Sequence, residues 1–101
     1  MTLFAFICRD VANSASIRER LIADHLAHIE KVMDKIAVAG PLKHGEETVG
    51  SLLVIKAENE AEARETFEAD PYFAAGVWDD VKVEHFLGVA GDWVGGAAWK
   101  H

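Results

Sequence analysis

The chain has 101 residues, half of them hydrophobic, and a formal net charge of −7 at pH 7. This length predicts one domain with a small core, and the acidic balance argues against nucleic acid or an anionic membrane as a partner, because their phosphates would repel the protein. The sequence has no apolar run of membrane-spanning length, and we expect no secretion signal, because no charged segment followed by a small-residue cleavage site stands near residue 1. Its single cysteine, Cys8, cannot form an internal disulfide, so we expect a cytoplasmic protein.

The apolar pattern predicts four strands and two main helices within a domain of residues 1–90, followed by a tail over residues 91–101. Ser16 and Glu19 form a capping-box pattern at the start of the first helix. Gly40 and Pro41 are expected to close the second strand, and the residue before Pro71 is expected to end the second helix. The predicted strands are residues 2–9, 36–40, 51–57 and 81–89; the predicted helices are residues 16–36 and 58–69, with a solvated loop at 43–48 and a short helical turn at 72–78.

The β-α-β-β-α-β order predicts a ferredoxin-like α+β fold, because right-handed crossovers place both helices on one face of a four-stranded antiparallel sheet. The first strand is apolar on both sides, with Phe4 and Phe6 on one side and Leu3 and Ile7 on the other. One of these rows would be bare on the face without helices, and an exposed apolar patch of this size usually marks an interface. We therefore expect a homodimer that packs sheet against sheet. In the fourth strand, one face is expected to carry Val81, Val83, His85, Leu87 and Val89.

The predicted first helix carries a histidine within its apolar face. Leu21, His25 and Ile29 recur at four-residue steps, and at about 100° per residue they lie on the same side of an α-helix. An imidazole among aliphatic side chains needs a hydrogen-bond partner, since an unsatisfied buried polar group costs about 1–3 kcal/mol. We therefore expect His25 to meet a polar group.

Short motifs recur in a defined order along the chain: LFAFICRD, the pair His25-Leu26, AGPL at residues 39–42, Gly50-Ser51, and Asp70-Pro71-Tyr72 followed by AGV at residues 75–77. In this order and spacing the sequence resembles the YciI-like (YCII-related domain) family from residue 1 to about residue 89. The resemblance implies a dimeric α+β barrel of ferredoxin-like protomers, with an active site built on His25 and Asp70. It also implies chemistry like that of dehydrochlorinases or lactone isomerases of similar fold. Many relatives carry an arginine about one turn before the histidine, where this chain has Ile22.

The pair formed by His25 and Asp70 suits acid–base catalysis. A carboxylate on one ring nitrogen fixes the tautomer of a histidine, so that the other nitrogen can move a proton near neutral pH. The alternative for His25 is a core histidine bonded to a backbone carbonyl. The alternative for Asp70 is the N-cap of a short helix that begins with Pro71, which would occupy one carboxylate oxygen and leave the other free.

Three further residues are candidates for substrate binding. The hydroxyl of Tyr72 is expected either to donate a hydrogen bond in the same pocket or to form its wall. Arg9 and Arg18 are candidates to bind an anionic substrate, with surface ion pairs as the alternative. We expect no metal site, because His25 and His28 lack a third ligand, and we expect Cys8 to be a buried hydrophobe rather than a nucleophile.

The sequence thus predicts a small cytoplasmic enzyme that transfers a proton on a small organic molecule, by elimination or isomerisation, without a cofactor. His25 would be the acid or base, and Asp70 would orient it. The alternative is a non-catalytic ligand-binding or interaction module, in which the pair is a buried polar clip. A cavity of substrate size that opens onto His25 would favour catalysis, whereas a sealed pair would disfavour it.

Overall fold

The computed structural model describes residues 2–100, so that Met1 and His101, the outer ends of the predicted domain and tail, lie outside the described residues. Four strands form one antiparallel sheet in the order β2-β3-β1-β4 with the helices on one face, which confirms the predicted ferredoxin-like α+β fold. A two-stranded hairpin, β5-β6, follows. The elements are β1 (Thr2–Asp10), α1 (Ser14–Lys31), a 3-10 turn (Met33–Lys35), β2 (Ile36–His44), β3 (Glu47–Ala57), α2 (Glu60–Glu68), α3 (Pro71–Ala74), β4 (Trp78–Phe86), β5 (Ala90–Gly91), a second 3-10 turn (Asp92–Val94) and β6 (Gly96–Ala97).

Alternation along the central strand β1 gives the sheet a helix face and an open face. On the helix face, Phe6 is fully buried and stacks on Phe67 of α2, with ring centroids 4.5 Å apart. Phe67 also stacks on Trp78 of β4 at 5.2 Å. These aromatic contacts fix α2 over the centre of the sheet. In the part of the chain described, no helix is long and apolar enough to cross a membrane.

The open face of the sheet is also apolar. Ala5 of β1 lies opposite Val54 of β3, and Ile7 lies opposite Leu52. A cavity of about 920 Å³ lies over this face and is bordered on one side by residues 90–94. We define the open face by its apolar side chains, which are Leu3, Ala5, Ile7, Val38, Leu52, Val54 and Phe86.

The predicted capping box at the start of the first helix is wrong. Helix α1 begins at Ser14, and its N-cap is Asn13, which makes no side-chain capping bond. Ser16 therefore lies inside the first turn, where its hydroxyl donates to the Asn13 carbonyl at 3.1 Å. A side chain in that position cannot cap the helix that contains it.

The first helix also ends earlier than the predicted residue 36. After Lys31 the backbone tightens into a 3-10 turn, in which the Lys35 amide donates to the Val32 carbonyl at 2.8 Å. Ile36 then pairs with Ile55 of β3. Pairing with β3 thus ends the helix, although the apolar spacing typical of a helix continues in the sequence to residue 36.

Strand β2 does not close at Gly40 and Pro41. Pro41 pairs with Ser51, and the strand continues to His44. Because β2 is an edge strand, the missing N–H of a proline is tolerated there. The predicted loop at 43–48 is correspondingly shortened to a turn at Gly45 and the residue after it, with a φ of 62° at Gly45.

Strand β4 begins and ends three residues before the predicted limits of 81–89. Val81, Val83 and His85 share one face as predicted, and this is the helix face, because they lie opposite the buried side of β1. Leu87 is 75% exposed beyond the strand, and the prediction that Leu87 and Val89 extend this face is wrong. The pairing stops at Leu3–Phe86, since β1 itself begins at residue 2.

Elsewhere the second helix and the helical turn are shorter than predicted. Helix α2 covers Glu60–Glu68, and the side chain of Asn59 caps it by accepting from the Glu62 amide at 2.9 Å. Helix α3 covers Pro71–Ala74, which leaves Trp78 to begin β4.

Gly50 of β3 has no room for a side chain, because an added Cβ would collide with the carbonyl oxygen of Cys8. We expect Gly50→Ala to lower the free energy of unfolding by roughly 2 kcal/mol or more, since the backbone must shift to admit the methyl group. Gly40→Ala in β2 is the matched control, because nothing lies within 4 Å of its Cβ position. Its stability should stay within about 1 kcal/mol of wild type. Urea denaturation measures both, and equal stabilities would contradict the close approach of β1 and β3.

Candidate active site

The candidate site is a contact between α1 and the start of α3. Nδ1 of His25 lies 2.9 Å from Oδ1 and 2.8 Å from Oδ2 of Asp70. The Asp70 side chain is 1% exposed, whereas that of His25 is 18% exposed. The structure therefore brings the two predicted residues together, and His25 has a polar partner in another element.

The local sequence explains the position of Asp70. The residue before a proline favours extended backbone, and Asp70 has φ −68° and ψ 129° before Pro71, the first residue of α3. Its Oδ1 accepts a hydrogen bond from the Tyr72 amide at 2.9 Å, which confirms the predicted N-cap. Oδ2 is buried and makes no hydrogen bond with the residues that the structure describes, although it lies close to the His25 ring. Capping and the contact with His25 therefore coexist in one carboxylate.

Tyr72 forms the surface on which the histidine rests. The two rings are parallel within 3° and their centroids are 4.0 Å apart. The Tyr72 hydroxyl donates to the backbone carbonyl of Arg18 at 3.1 Å. Burial raises the pKa of the Tyr72 hydroxyl above its ordinary value; the nearby Arg18 opposes the shift and Asp70 adds to it. Two roles were considered for Tyr72, a hydrogen-bond donor and a pocket wall. This geometry fits the pocket wall, because the phenol proton is already donated to the backbone carbonyl of Arg18 in α1.

The guanidinium of Arg18 lies over the Tyr72 ring, and several acceptors hold it. Nε and Nη2 each donate to one carboxylate oxygen of Asp10 at 2.8 Å. Nη2 also donates to Ser51 Oγ at 2.9 Å and approaches the Gly50 carbonyl at 3.3 Å. The guanidinium carbon is 5.3 Å from the Tyr72 ring centroid. A paired carboxylate inside the protein thus balances the charge of Arg18.

The structure does not bring Arg9 to this site. Arg9 has the same parity along β1 as Ala5 and Ile7, so its exposed side chain lies on the open face. His25 and Asp70 are on the helix face. The role predicted for Arg9 would require the opposite side of the sheet.

A cavity of about 270 Å³ lies between α1 and the strands β2 and β3, and we call it the His25 cavity. Its size matches the lower end of small-molecule pockets, roughly 300 Å³. Because Nδ1 of His25 is engaged by Asp70, Nε2 is the ring nitrogen that is available to a bound molecule. The residues that define the cavity include Arg18, His25, Pro41, Ser51, Leu53 and Tyr72.

Two other candidates from the sequence have different surroundings. Nε2 of His28 contacts the Thr66 carbonyl at 3.2 Å, and within residues 2–100 no cluster of three or more His, Cys, Asp or Glu is placed to hold a metal ion. Cys8 is fully buried, and this burial, together with the charge of Asp10, raises the pKa of its thiol to about 12. Such a thiol is unreactive, because the thiolate is the nucleophile.

The sequence reasoning missed two polar residues of the site, Asp10 and Ser51. Asp10 lies just beyond the predicted first strand of residues 2–9, although it completes β1 and pairs with Arg18. Ser51 interrupts the helix-facing row that continues with Leu53 and Ile55. A hydroxyl in such an apolar row is the signal that points to this part of the site.

Comparisons with known proteins agree with the observed fold. The model of the YCII-related domain matches residues 2–87. Among solved structures, the chain is similar to a 5-chloro-2-hydroxyhydroquinone dehydrochlorinase from Burkholderia phenoliruptrix AC1100, determined in complex with 2,5-dihydroxybenzoquinone. The two are 30% identical with a TM-score of 0.76, and the match covers 89% of this chain and 96% of that chain. No curated protein sequence matches the chain. The family model spans most of the chain, and the chain therefore belongs to the YCII-related domain family.

Proposed function

We propose that this protein is an enzyme that moves a proton on a small oxygenated ring compound, in an elimination or an isomerisation. The observation that carries the proposal is the contact of His25 with the buried carboxylate of Asp70 at the wall of the His25 cavity. The similarity to a dehydrochlorinase solved with a dihydroxybenzoquinone supports the choice of substrate class. We further propose a cytoplasmic location, where the single Cys8 stays reduced.

In this proposal Asp70 keeps the proton on Nδ1 of His25, so that Nε2 faces the bound molecule as an acid or base. In an elimination, Nε2 accepts a proton from the substrate, and the electron pair left behind forms a new double bond. Chloride or another anion departs with its own bonding pair. The reaction needs no oxidant or cofactor, because the substrate loses a proton and an anion together and no electrons are transferred to another molecule. In an isomerisation, the same nitrogen returns the proton to a different atom.

Tyr72 and Asp70 would act by positioning the histidine. The stacked phenol ring prevents the imidazole from tilting, and the carboxylate prevents it from turning about its own axis. A base that is held in the reactive orientation accelerates proton transfer, because no further loss of rotational freedom is needed when the substrate binds.

Turnover by variants of His25 and Asp70 tests this proposal. With 5-chloro-2-hydroxyhydroquinone as substrate, we expect His25→Ala to lower the rate of chloride release by at least about 100-fold, the usual contribution of a positioned acid or base. Asp70→Asn should lower the rate less, since an asparagine can still cap α3. His28→Ala is the matched control, because His28 lies on the same helix and contacts the Thr66 carbonyl. It should keep wild-type turnover.

Unchanged turnover in folded His25→Ala and Asp70→Asn would contradict the proposal. The alternative, a non-catalytic binding module, has its own signature. It is supported by the capping bond of Asp70 to the Tyr72 amide, which by itself gives the carboxylate a structural role. Under this alternative, wild type releases no chloride, and His25→Phe keeps both the stability and the affinity for 2,5-dihydroxybenzoquinone.

We also propose that the protein is a homodimer, with the open face of each sheet packed against that of a second copy. The support is the apolar character of this face, where Ile7 remains 37% exposed in the centre of β1. The described helices pack on the other face of the sheet, and apolar side chains left exposed on the open face, such as Ile7 and Phe86, are typical of an interface.

Analytical ultracentrifugation at micromolar concentration should give twice the chain mass of 11.1 kDa. Ile7→Glu should give the monomer, because each interface would then bury two carboxylates without partners. Met33→Glu, an exposed apolar position outside the open face, should remain dimeric. A monomeric wild type would exclude the proposed assembly.

A further inference from the structure

The His25 cavity runs from a buried floor to an exposed rim. At the floor, Leu53 and Tyr72 are 4% and 1% exposed, whereas Ile22 and Leu26 are 46% and 51% exposed. The exposed residues come from α1 on one side of the cavity and from the edge strand β2 on the other. We define the apolar rim by these exposed residues, which are Ile22, Leu26, Ala39, Gly40 and Pro41.

Helical geometry places the α1 part of the apolar rim beside the imidazole. Ile22 and Leu26 lie about 60° and 100° from His25 around the axis of α1, both in the same direction. His28, which contacts the Thr66 carbonyl of α2, lies about 60° from His25 in the opposite direction. A molecule in the cavity that reaches Nε2 of His25 therefore has Ile22 and Leu26 on its outer side.

The apolar rim offers hydrocarbon and no side-chain polar atom. On β2 it presents the methyl group of Ala39 and the ring of Pro41, and a proline has no N–H to donate. Arg18 is the one permanent cation among the described residues that line the cavity, and both carboxylate oxygens of Asp10 already bind it. A carboxylate at the rim would lose water without gaining an ion pair. An alkyl group there would instead be removed from water at a gain.

Neither the core nor the proposed dimer covers the α1 part of the rim. Leu21 and Ile29 of α1 pack against the core, whereas Ile22 and Leu26 lie outside this cluster. The His25 cavity lies on the helix face of the sheet, and the proposed dimer uses the open face. A second copy seated on the open face therefore leaves both side chains to be covered by a molecule that enters the cavity.

We infer that Ile22 and Leu26 are specificity-determining residues. They select ring substrates that carry an apolar substituent, such as a short alkyl group or a halogen, over those that carry a carboxylate. The inference rests on the proposed function, because it takes a ring compound bound at His25 as the substrate. The ring occupies the buried part of the cavity, and its substituent lies between α1 and Pro41 of β2. These contacts set affinity and leave the proton transfer to His25.

Affinities for three compounds that differ at one ring position test the inference. They are hydroquinone, propylhydroquinone and 2,5-dihydroxybenzoate, titrated without oxygen and followed by NMR through the ring signals of His25. Wild type should bind propylhydroquinone about tenfold more tightly than hydroquinone, because each fully buried CH₂ contributes about fourfold and the rim is half-exposed. It should bind 2,5-dihydroxybenzoate about tenfold less tightly than hydroquinone, because the carboxylate loses water at the rim.

Two exposed positions can be changed with little effect on the fold, since glutamine and lysine are good helix formers. Leu26→Gln should reduce the preference for propylhydroquinone to about threefold or less, because the rim then contains a polar amide. Ile22→Lys should bind 2,5-dihydroxybenzoate at least about fivefold more tightly than wild type, because the ammonium group supplies the missing ion pair. Met33→Gln is the matched control, since Met33 is 54% exposed and does not line the cavity. It should keep all three wild-type affinities.

Equal binding of the three compounds to wild type, or no shift of the His25 signals by hydroquinone and its propyl derivative, would overturn the inference. An unchanged propyl preference in Leu26→Gln, or a loss shared by Met33→Gln, would overturn it as well. If Leu26→Gln changes the mass found by ultracentrifugation, the side chain belongs to a protein interface and the inference is wrong. Chloride release by wild type and His25→Ala tests the proposed function separately, so that the inference can fail while His25 keeps its role.

Discussion

A carboxylate that folding removes from water must find donors inside the protein, and Asp70 is such a group. Its donors come from two directions, the Tyr72 amide within α3 and the His25 ring on α1. The same bonds that make burial tolerable fix α1 against α3, and they also fix which nitrogen of His25 faces the cavity. The geometry of the candidate site is therefore a consequence of satisfying one buried charge.

Arg18 and Asp10 form a second charged contact beside the Tyr72 ring. Their paired charges tie α1 to the end of β1, and Ser51 joins the group from β3. The ring of Tyr72 is thus held between two polar contacts and rests on the aromatic core through its edge contact with Trp78. Each of these two polar contacts combines a charged pair with close packing against the Tyr72 ring.

The fold could be predicted from the sequence because local patterns dictate it. Alternation defined the strands, and Asp70 before Pro71 defined both the end of α2 and the cap of α3. His25 could be placed on the inner side of α1 from periodicity alone. The partner of Arg18 could not be predicted, because it depends on how the end of β1 packs against α1. The parity of Arg9 was visible, but both sides of β1 are apolar, so the pattern did not tell which side the helices cover. The limits of α1 and β4 depend on strand pairing, which no local window contains.

The central claim is that Asp70 holds the proton on Nδ1 of His25 and leaves Nε2 free for chemistry. Two-dimensional ¹⁵N–¹H NMR of the histidine ring measures this directly. The account predicts that the neutral ring carries its proton on Nδ1, and that Asp70→Asn alters this tautomer while His28 is unaffected. A neutral His25 with its proton on Nε2 in the wild-type protein would contradict the account.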